Sequence, residues 1–218
     1  METNVWTLPD VTIRSISVGA MDNNVYLLTA RKTGAQVLID AADDAGAILN
    51  LLAEGTGDVD APAVARPAMV ITTHSHWDHV RALAAVVEQT GAKTAAGRAD
   101  AADIEVPTDV LLDDGDVGNF EGFDLEAIGL RGHTAGSTAL LYRDAHGPAH
   151  LFTGDSLFPG GLGNTQQDPE RFKQLFDDVT QRIFGTLPDE TLVHPGHGAG
   201  TTLGAERPKL QEWNARGW

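Results

Sequence analysis

The chain has 218 residues, enough for one domain with a real core (1–218), and no cysteine, which excludes disulfides, thiolate metal ligands, iron–sulfur clusters and a thiol nucleophile. A formal charge of −16 opposes a phosphate backbone, whose partners bind through Lys and Arg, so no nucleic-acid partner is expected. The apolar run Ala82–Val87 is far shorter than the roughly 20 residues of a membrane helix, and Met1–Val5 lacks the basic and apolar regions of a secretory leader, so the expectation is cytoplasmic residence without a membrane partner.

The first β-run, Val11–Val18, alternates apolar with polar residues; Asn24–Thr29 follows a turn at 19–23, and Gln36–Asp40 reads as a third strand. Helical spacing over Ala47–Ala53 stops at Glu54-Gly55-Thr56-Gly57. The continuously apolar Ala68–Thr72 predicts a central strand covered on both faces, and it runs directly into Thr73-His74-Ser75-His76-Trp77-Asp78-His79. A helix from about Val80 to Gln89 would place its N-terminus at that run. Further strands are expected at Phe123–Ile128, Thr138–Tyr142, His150–Thr153 and Thr191–Val193, with helices over 168–184 and 205–215. In this reading each half supplies a β-run covered by helices, and two sheets pack face to face with helices outside. Strand ends carry the chemistry: loops 131–137, 154–156 and 194–198 all hold a histidine or aspartate beside glycine.

Four potential metal ligands within six residues, His74, His76, Asp78 and His79, have no bland explanation, since titrating polar groups crowded together need a partner. His133, Asp155 and His197 occupy equivalent positions after other strands. His74 and His76, two apart on an extended segment, project side by side at one ion with His133; Asp78 and His79 lie where the chain turns and face a second with His197, Asp155 bridging the two. Imidazole and carboxylate donors suit two divalent ions per chain, zinc first, with iron or manganese as alternatives. His146 and His150, around the turn 144–148, read as surface residues, and His194 as a buried strand-end histidine, with the orientation of a ligand as its alternative. Pro159–Asn164 lacks the lysine and spacing of a phosphate loop and reads as a pocket rim. Trp77 is expected to pack under the metal loop, a substrate wall being the other reading.

The His74-x-His76-x-Asp78-His79 run followed by His133, Asp155 and His197 resembles the metallo-β-lactamase-fold superfamily over nearly the whole chain. Thr73–His79, Gly132–Ser137 and Gly154–Phe158 resemble the hydroxyacylglutathione hydrolase (glyoxalase II) branch most. The resemblance implies an α+β, four-layer αββα sandwich of two mixed β-sheets flanked by helices, a dinuclear centre, and hydrolysis of a small acyl substrate, a thioester or ester, by a metal-bridging hydroxide that the catalytic residue Asp78 orients. Gly163-Asn164 stands where that branch has an arginine, and the chain is too short for its basic C-terminal helical domain, so another acyl-thiol or small ester is as open as glutathione. The cysteine that many β-lactamases place in the second site is absent, which makes antibiotic hydrolysis minor within the alternative of a lactonase or β-lactamase-type hydrolase. A persulfide-dioxygenase-like oxidoreductase would use one iron held by two histidines and a carboxylate, leaving part of the set idle. A silent binding module on the same fold would have lost ligands, and all seven are here.

Overall fold

Period-two alternation in the strands decides the architecture, because each strand has two faces to bury. The computed structural model describes residues 3–217. Its first half comprises β1 (Asn4–Thr7), β2 (Val11–Val18), β3 (Asn23–Ala30), β4 (Ala35–Ile39), α1 (Ala45–Gly55), β5 (Arg66–Thr72), α2 (Leu83–Thr90), β6 (Lys93–Gly97) and β7 (Val110–Leu112). These strands form one sheet in sequence order, antiparallel from β1 to β4 and parallel from β4 to β7. The second half adds β8 (Val117–Asn119), β9 (Asp124–Gly129), β10 (Thr138–Tyr142), β11 (His150–Gly154), the short pair β12 (Leu157–Phe158) and β13 (Gly161–Leu162), α3 (Pro169–Asp178), β14 (Leu192–Pro195), β15 (Thr201–Thr202), α4 (Leu203–Glu206) and α5 (Leu210–Arg216). Its sheet runs β15-β14-β11-β10-β9-β8, parallel only at β11/β14.

Val11, Ile13, Tyr26, Leu28, Val37 and Ile39 of the first sheet meet Leu125, Ala127, Leu140, Tyr142 and Phe152 of the second in one core. The alternate residues face outwards: Ile16, Leu27 and Leu38 against α1 and α2, and Ile128, Leu141 and Leu151 against α3 and α5. The result is the expected αββα sandwich of two mixed sheets. Among the described residues, no helix is long and apolar enough to cross a membrane.

Three expectations are corrected. The predicted helix from Val80 does not start there: Trp77–His79 forms a 3-10 turn and α2 begins at Leu83. The backbone N–H groups of Arg81 and Ala82 are spent on the carbonyls of Ala42 and Ala41, which ties the segment to the end of β4 and delays the helix. The predicted last helix is broken by Pro208 into α4, a 3-10 turn and α5. His150 is buried at 1% exposure and stacks on His194, because it lies on β11 beside β14, with its side chain inside the sandwich rather than in the turn that precedes it. His146 is exposed and His194 buried, as expected.

Candidate metal centre

All the loops that carry candidate ligands leave the sheets at one edge. Parallel β4, β5 and β6 end there in the first sheet and parallel β11 and β14 in the second, so the residues that follow each strand emerge side by side. Backbone hydrogen bonds stitch the sheets together at this edge, from Thr138 N–H to the Thr73 carbonyl (2.9 Å) and from Asn24 N–H to the Gly196 carbonyl (2.7 Å). Gly196 is required by close approach: a Cβ there would lie 2.2 Å from Asp155 Oδ1 and 2.8 Å from the His79 ring.

The structure brings together all seven residues singled out from the sequence. His74, His76 and His133 form one group and Asp78, His79 and His197 another, each offering ligand atoms within 4.8 Å of one another; His74, His79 and Asp155 form a third. The Asp155 carboxylate stands between the first two groups, 3.7 Å from His133 Nε2 through Oδ2 and 3.5 and 3.4 Å from the Nε2 atoms of His79 and His197. Within the groups, ring nitrogens face each other at 3.1 Å (His74 Nε2 and His76 Nδ1) and 3.2 Å (His79 Nε2 and His197 Nε2).

The outer hydrogen bonds show which nitrogen each ring presents. His79 Nδ1 donates to Asp40 (2.9 Å), His133 Nδ1 to the Asn164 carbonyl (2.8 Å) and His197 Nδ1 to the Met21 carbonyl (2.8 Å). His74 Nδ1 lies 3.1 Å from Thr73 Oγ1, whose own proton goes to Asp40. With Nδ1 protonated, the Nε2 lone pairs of all four rings point into the cluster, the arrangement that orients metal-ligating histidines. His133 Nε2 and Asp155 Oδ1 are buried there with no hydrogen-bond partner. Facing lone pairs and orphaned acceptors are costly unless a cation lies between them, and a set of imidazole and carboxylate donors without thiolate fits zinc, iron or manganese.

Electrostatics agree with that fit. Burial pushes His74 well below the ordinary imidazole range and lowers His133 as well. Burial also opposes charge on His79, but the Asp40 and Asp155 carboxylates outweigh it and raise this ring to about 10; the hydrogen bond to Asp155 raises His197. Burial opposes charge on Asp155, but the His197 and His79 rings 3.4 and 3.5 Å away outweigh it and hold the carboxyl far below its usual range. The carboxylates that favour a proton on His79 Nε2 would favour a metal ion there equally, and the two compete for one lone pair.

Sequence reasoning missed the residues that hold the ligands in place. Asp40 accepts from Thr73 N–H, Thr73 Oγ1 and His79, and adopts a left-handed φ of 58°, a strain of the kind that functional sites retain. Its signal was present, since it ends a predicted strand as Asp155 does. Asn23, whose Nδ2 donates to Asp78 Oδ2 (2.9 Å), carried none. The glycine-rich segment does more than line a rim, because its Asn164 carbonyl orients His133. Trp77 does not pack under the loop: it is 59% exposed, with the Arg81 guanidinium over its ring at 5.2 Å and Arg81 paired with Asp43.

Comparison with known proteins gives a consistent picture. The family model for the metallo-beta-lactamase superfamily matches residues 18–197. A hydroxyacylglutathione hydrolase from Jannaschia sp. (strain CCS1) is 33% identical over 182 residues, covering 81% of this chain and 62% of the relative, so the chain spans about three fifths of the length of that protein. Among solved structures, ETHE1 from Myxococcus xanthus superposes with a TM-score of 0.75 at 28% identity, covering 89% of this chain and 81% of that one. TTHA1623 in a di-iron-bound form superposes with a TM-score of 0.69 at 30% identity, covering 88% and 96%.

Proposed function

This chain belongs to the metallo-beta-lactamase superfamily, and from that membership we propose that it is a dinuclear metal-dependent hydrolase of a small thioester or ester. One observation carries the reading: four Nε2 lone pairs, each fixed by an acceptor on its Nδ1, converge with two carboxylates on a single edge of the sandwich. The first ion would be held by His74, His76 and His133, the second by Asp78, His79 and His197, with Asp155 between them; zinc suits these donors, and iron or manganese would also. Two bound divalent ions supply a water acidic enough to lose a proton near neutrality and a Lewis acid for the carbonyl oxygen.

The remaining chemistry falls to the chain. Asn23 holds the Asp78 carboxylate in one orientation, and Asp78 orients the attacking water, takes its proton and passes it to the leaving thiolate or alkoxide. Asp40 keeps the His79 ring from turning. The water oxygen forms a bond to the acyl carbon, the carbon–sulfur or carbon–oxygen bond breaks, and the products are a carboxylate and a thiol or alcohol. Exposed Met21 and Trp77, with Phe158 packed 6.5 Å from His197, leave apolar surface beside the cluster for an acyl group. The match to hydroxyacylglutathione hydrolases supports a thioester.

The test is to assay metal-quantified protein against thioesters, lactones and β-lactams. Two ions per chain with turnover of a thioester or ester are expected; two ions with no hydrolysis in the panel would overturn the assignment. A second reading has its own observation. His74, His79 and Asp155 by themselves make a two-histidine, one-carboxylate group, as Asp78, His79 and His197 also do, and this donor set of mononuclear non-haem iron supports an oxidoreductase of the persulfide-dioxygenase kind. One iron per chain with oxygen consumption on a persulfide would establish that reading instead.

A further inference from the structure

We propose that Asp100, whose carboxylate hydrogen-bonds to Ser75, Thr134 and Gly136 and not to a candidate ligand side chain, is the positioning residue that sets the His74/His76/His133 half of the centre; the proposal rests on the dinuclear reading above. Asp100 lies after β6, is 1% exposed, and spends its carboxylate on two other segments. Its Oδ2 accepts from Ser75 N–H (2.8 Å), the residue between His74 and His76, and from Thr134 Oγ1 (2.6 Å), the residue after His133. Its Oδ1 accepts from Gly136 N–H at 2.6 Å. Because the Thr134 proton goes to Asp100, Ser137 Oγ (2.6 Å away) donates to Thr134 and in turn accepts from Thr134 N–H at 3.1 Å, so the whole turn after His133 is locked through one carboxylate.

The two segments come from different sheets. Ser75 follows β5 in the first, and Thr134 and Gly136 precede β10 in the second. Asp100 therefore fixes the separation between the His74/His76 pair and His133, a distance that no single sheet can set. The approach is too close for side chains, since a Cβ on Gly136 would lie 2.5 Å from the Asp100 nitrogen and one on Gly97 would lie 2.0 Å from the Gly136 carbonyl oxygen. Among the described residues, no hydrogen bond links the Asp100 carboxylate to the other half. Asp78, His79 and His197 are braced by Asn23, Asp40 and the Met21 carbonyl instead.

The test is titration of the metal-free protein with Zn²⁺, counted by native mass spectrometry, alongside the thermal midpoint of the metal-free form. The parent is expected to bind two ions and Asp100→Ala one. Asp100→Asn, whose amide must turn an N–H towards at least one of three donors, should retain both with one weakened about 10- to 100-fold, the usual loss when a ligand's support is altered. Thr134→Val removes one of the three bonds to Asp100, together with the acceptor of the Ser137 hydroxyl, and should weaken the same ion while leaving the metal-free midpoint close to the parent's, so it decides the matter if Asp100→Ala does not fold. Two ions bound with parental affinity in these variants, or equal weakening of both ions, would overturn the assignment. A parent that binds no zinc would instead overturn the proposed function itself.

Discussion

His76 and Asp155 carry different weights in the centre, and their variants separate them. His76→Ala removes a donor from the most open of the three-histidine positions and should abolish activity and retention of the ion held by His74, His76 and His133. Asp155→Ala should leave at most one ion, because its carboxylate is the group that lies between the two halves; two ions by elemental analysis would contradict the bridging role. His150 and His194 make a second residue-scale prediction. Their rings stack, with His150 Nδ1 2.9 Å from His194 Nε2, and burial lowers them to about 4 and about 3. Both are neutral in the fold, whereas the unfolded chain binds a proton on each below its ordinary value near 6.5. Their contribution is therefore complete above about pH 6.5 and is lost as pH falls through that value towards the folded pKa values. At pH 4.5, two units below the unfolded value, the loss is about 3 kcal/mol per ring. Urea unfolding at pH 7.5 and 4.5 should show it, and His194→Phe should flatten the difference; an unchanged difference would show that these rings do not titrate with unfolding.

At the scale of elements, the centre is braced by structure that is not itself in the centre. Helix α3 begins with Asp168 accepting from the N–H groups of Glu170 and Arg171, with Pro169 at the first helical position. One face, Leu175 continuing into Val179 and Ile183 of the following π-helical turn, packs on the second sheet. Its Arg171 reaches back to the carbonyls of Gly132 and His133. Asp168→Ala should cost about 1 kcal/mol and lower the melting temperature by roughly 2–4 °C, as for any lost N-cap in a chain of this size. The His197 loop is held by Tyr26, whose hydroxyl donates to the Pro195 carbonyl at 2.7 Å. Strand β2 was legible from alternation and β5 from continuous apolar character, yet β6, β7 and β8 were not. Their short, alanine- and glycine-rich or exposed segments, such as Lys93-Thr94-Ala95-Ala96-Gly97, have little intrinsic preference and become strands only because a neighbouring edge offers its hydrogen bonds.

For the whole molecule, the centre and the fold stabilise each other, since the ligands come from both sheets. An ion that binds only the folded chain adds RT ln(1 + [L]/Kd), about 2.7 kcal/mol at a hundredfold excess over Kd. Stripping the metal with a chelator should then lower the melting temperature by several degrees, and restoring Zn²⁺ should recover it; an unchanged melt would mean that the cluster binds no ion tightly. Residue type and spacing in the sequence alone determined the sandwich and the seven-residue cluster, because period-two alternation specifies buried faces and because dense histidine beside aspartate has few uses other than metal. They also excluded thiolate chemistry outright. Only the tertiary structure decided which nitrogen each histidine presents, that His150 is buried, that Trp77 is exposed, and that Asp40, Asn23 and Asp100 support the centre. The reason is physical: hydrogen bonds between residues far apart in the chain, 25 positions for Ser75 and Asp100 and 176 for Met21 and His197, leave no periodicity, and a single Asp or Asn looks the same in sequence whether it faces water or a ligand from another strand.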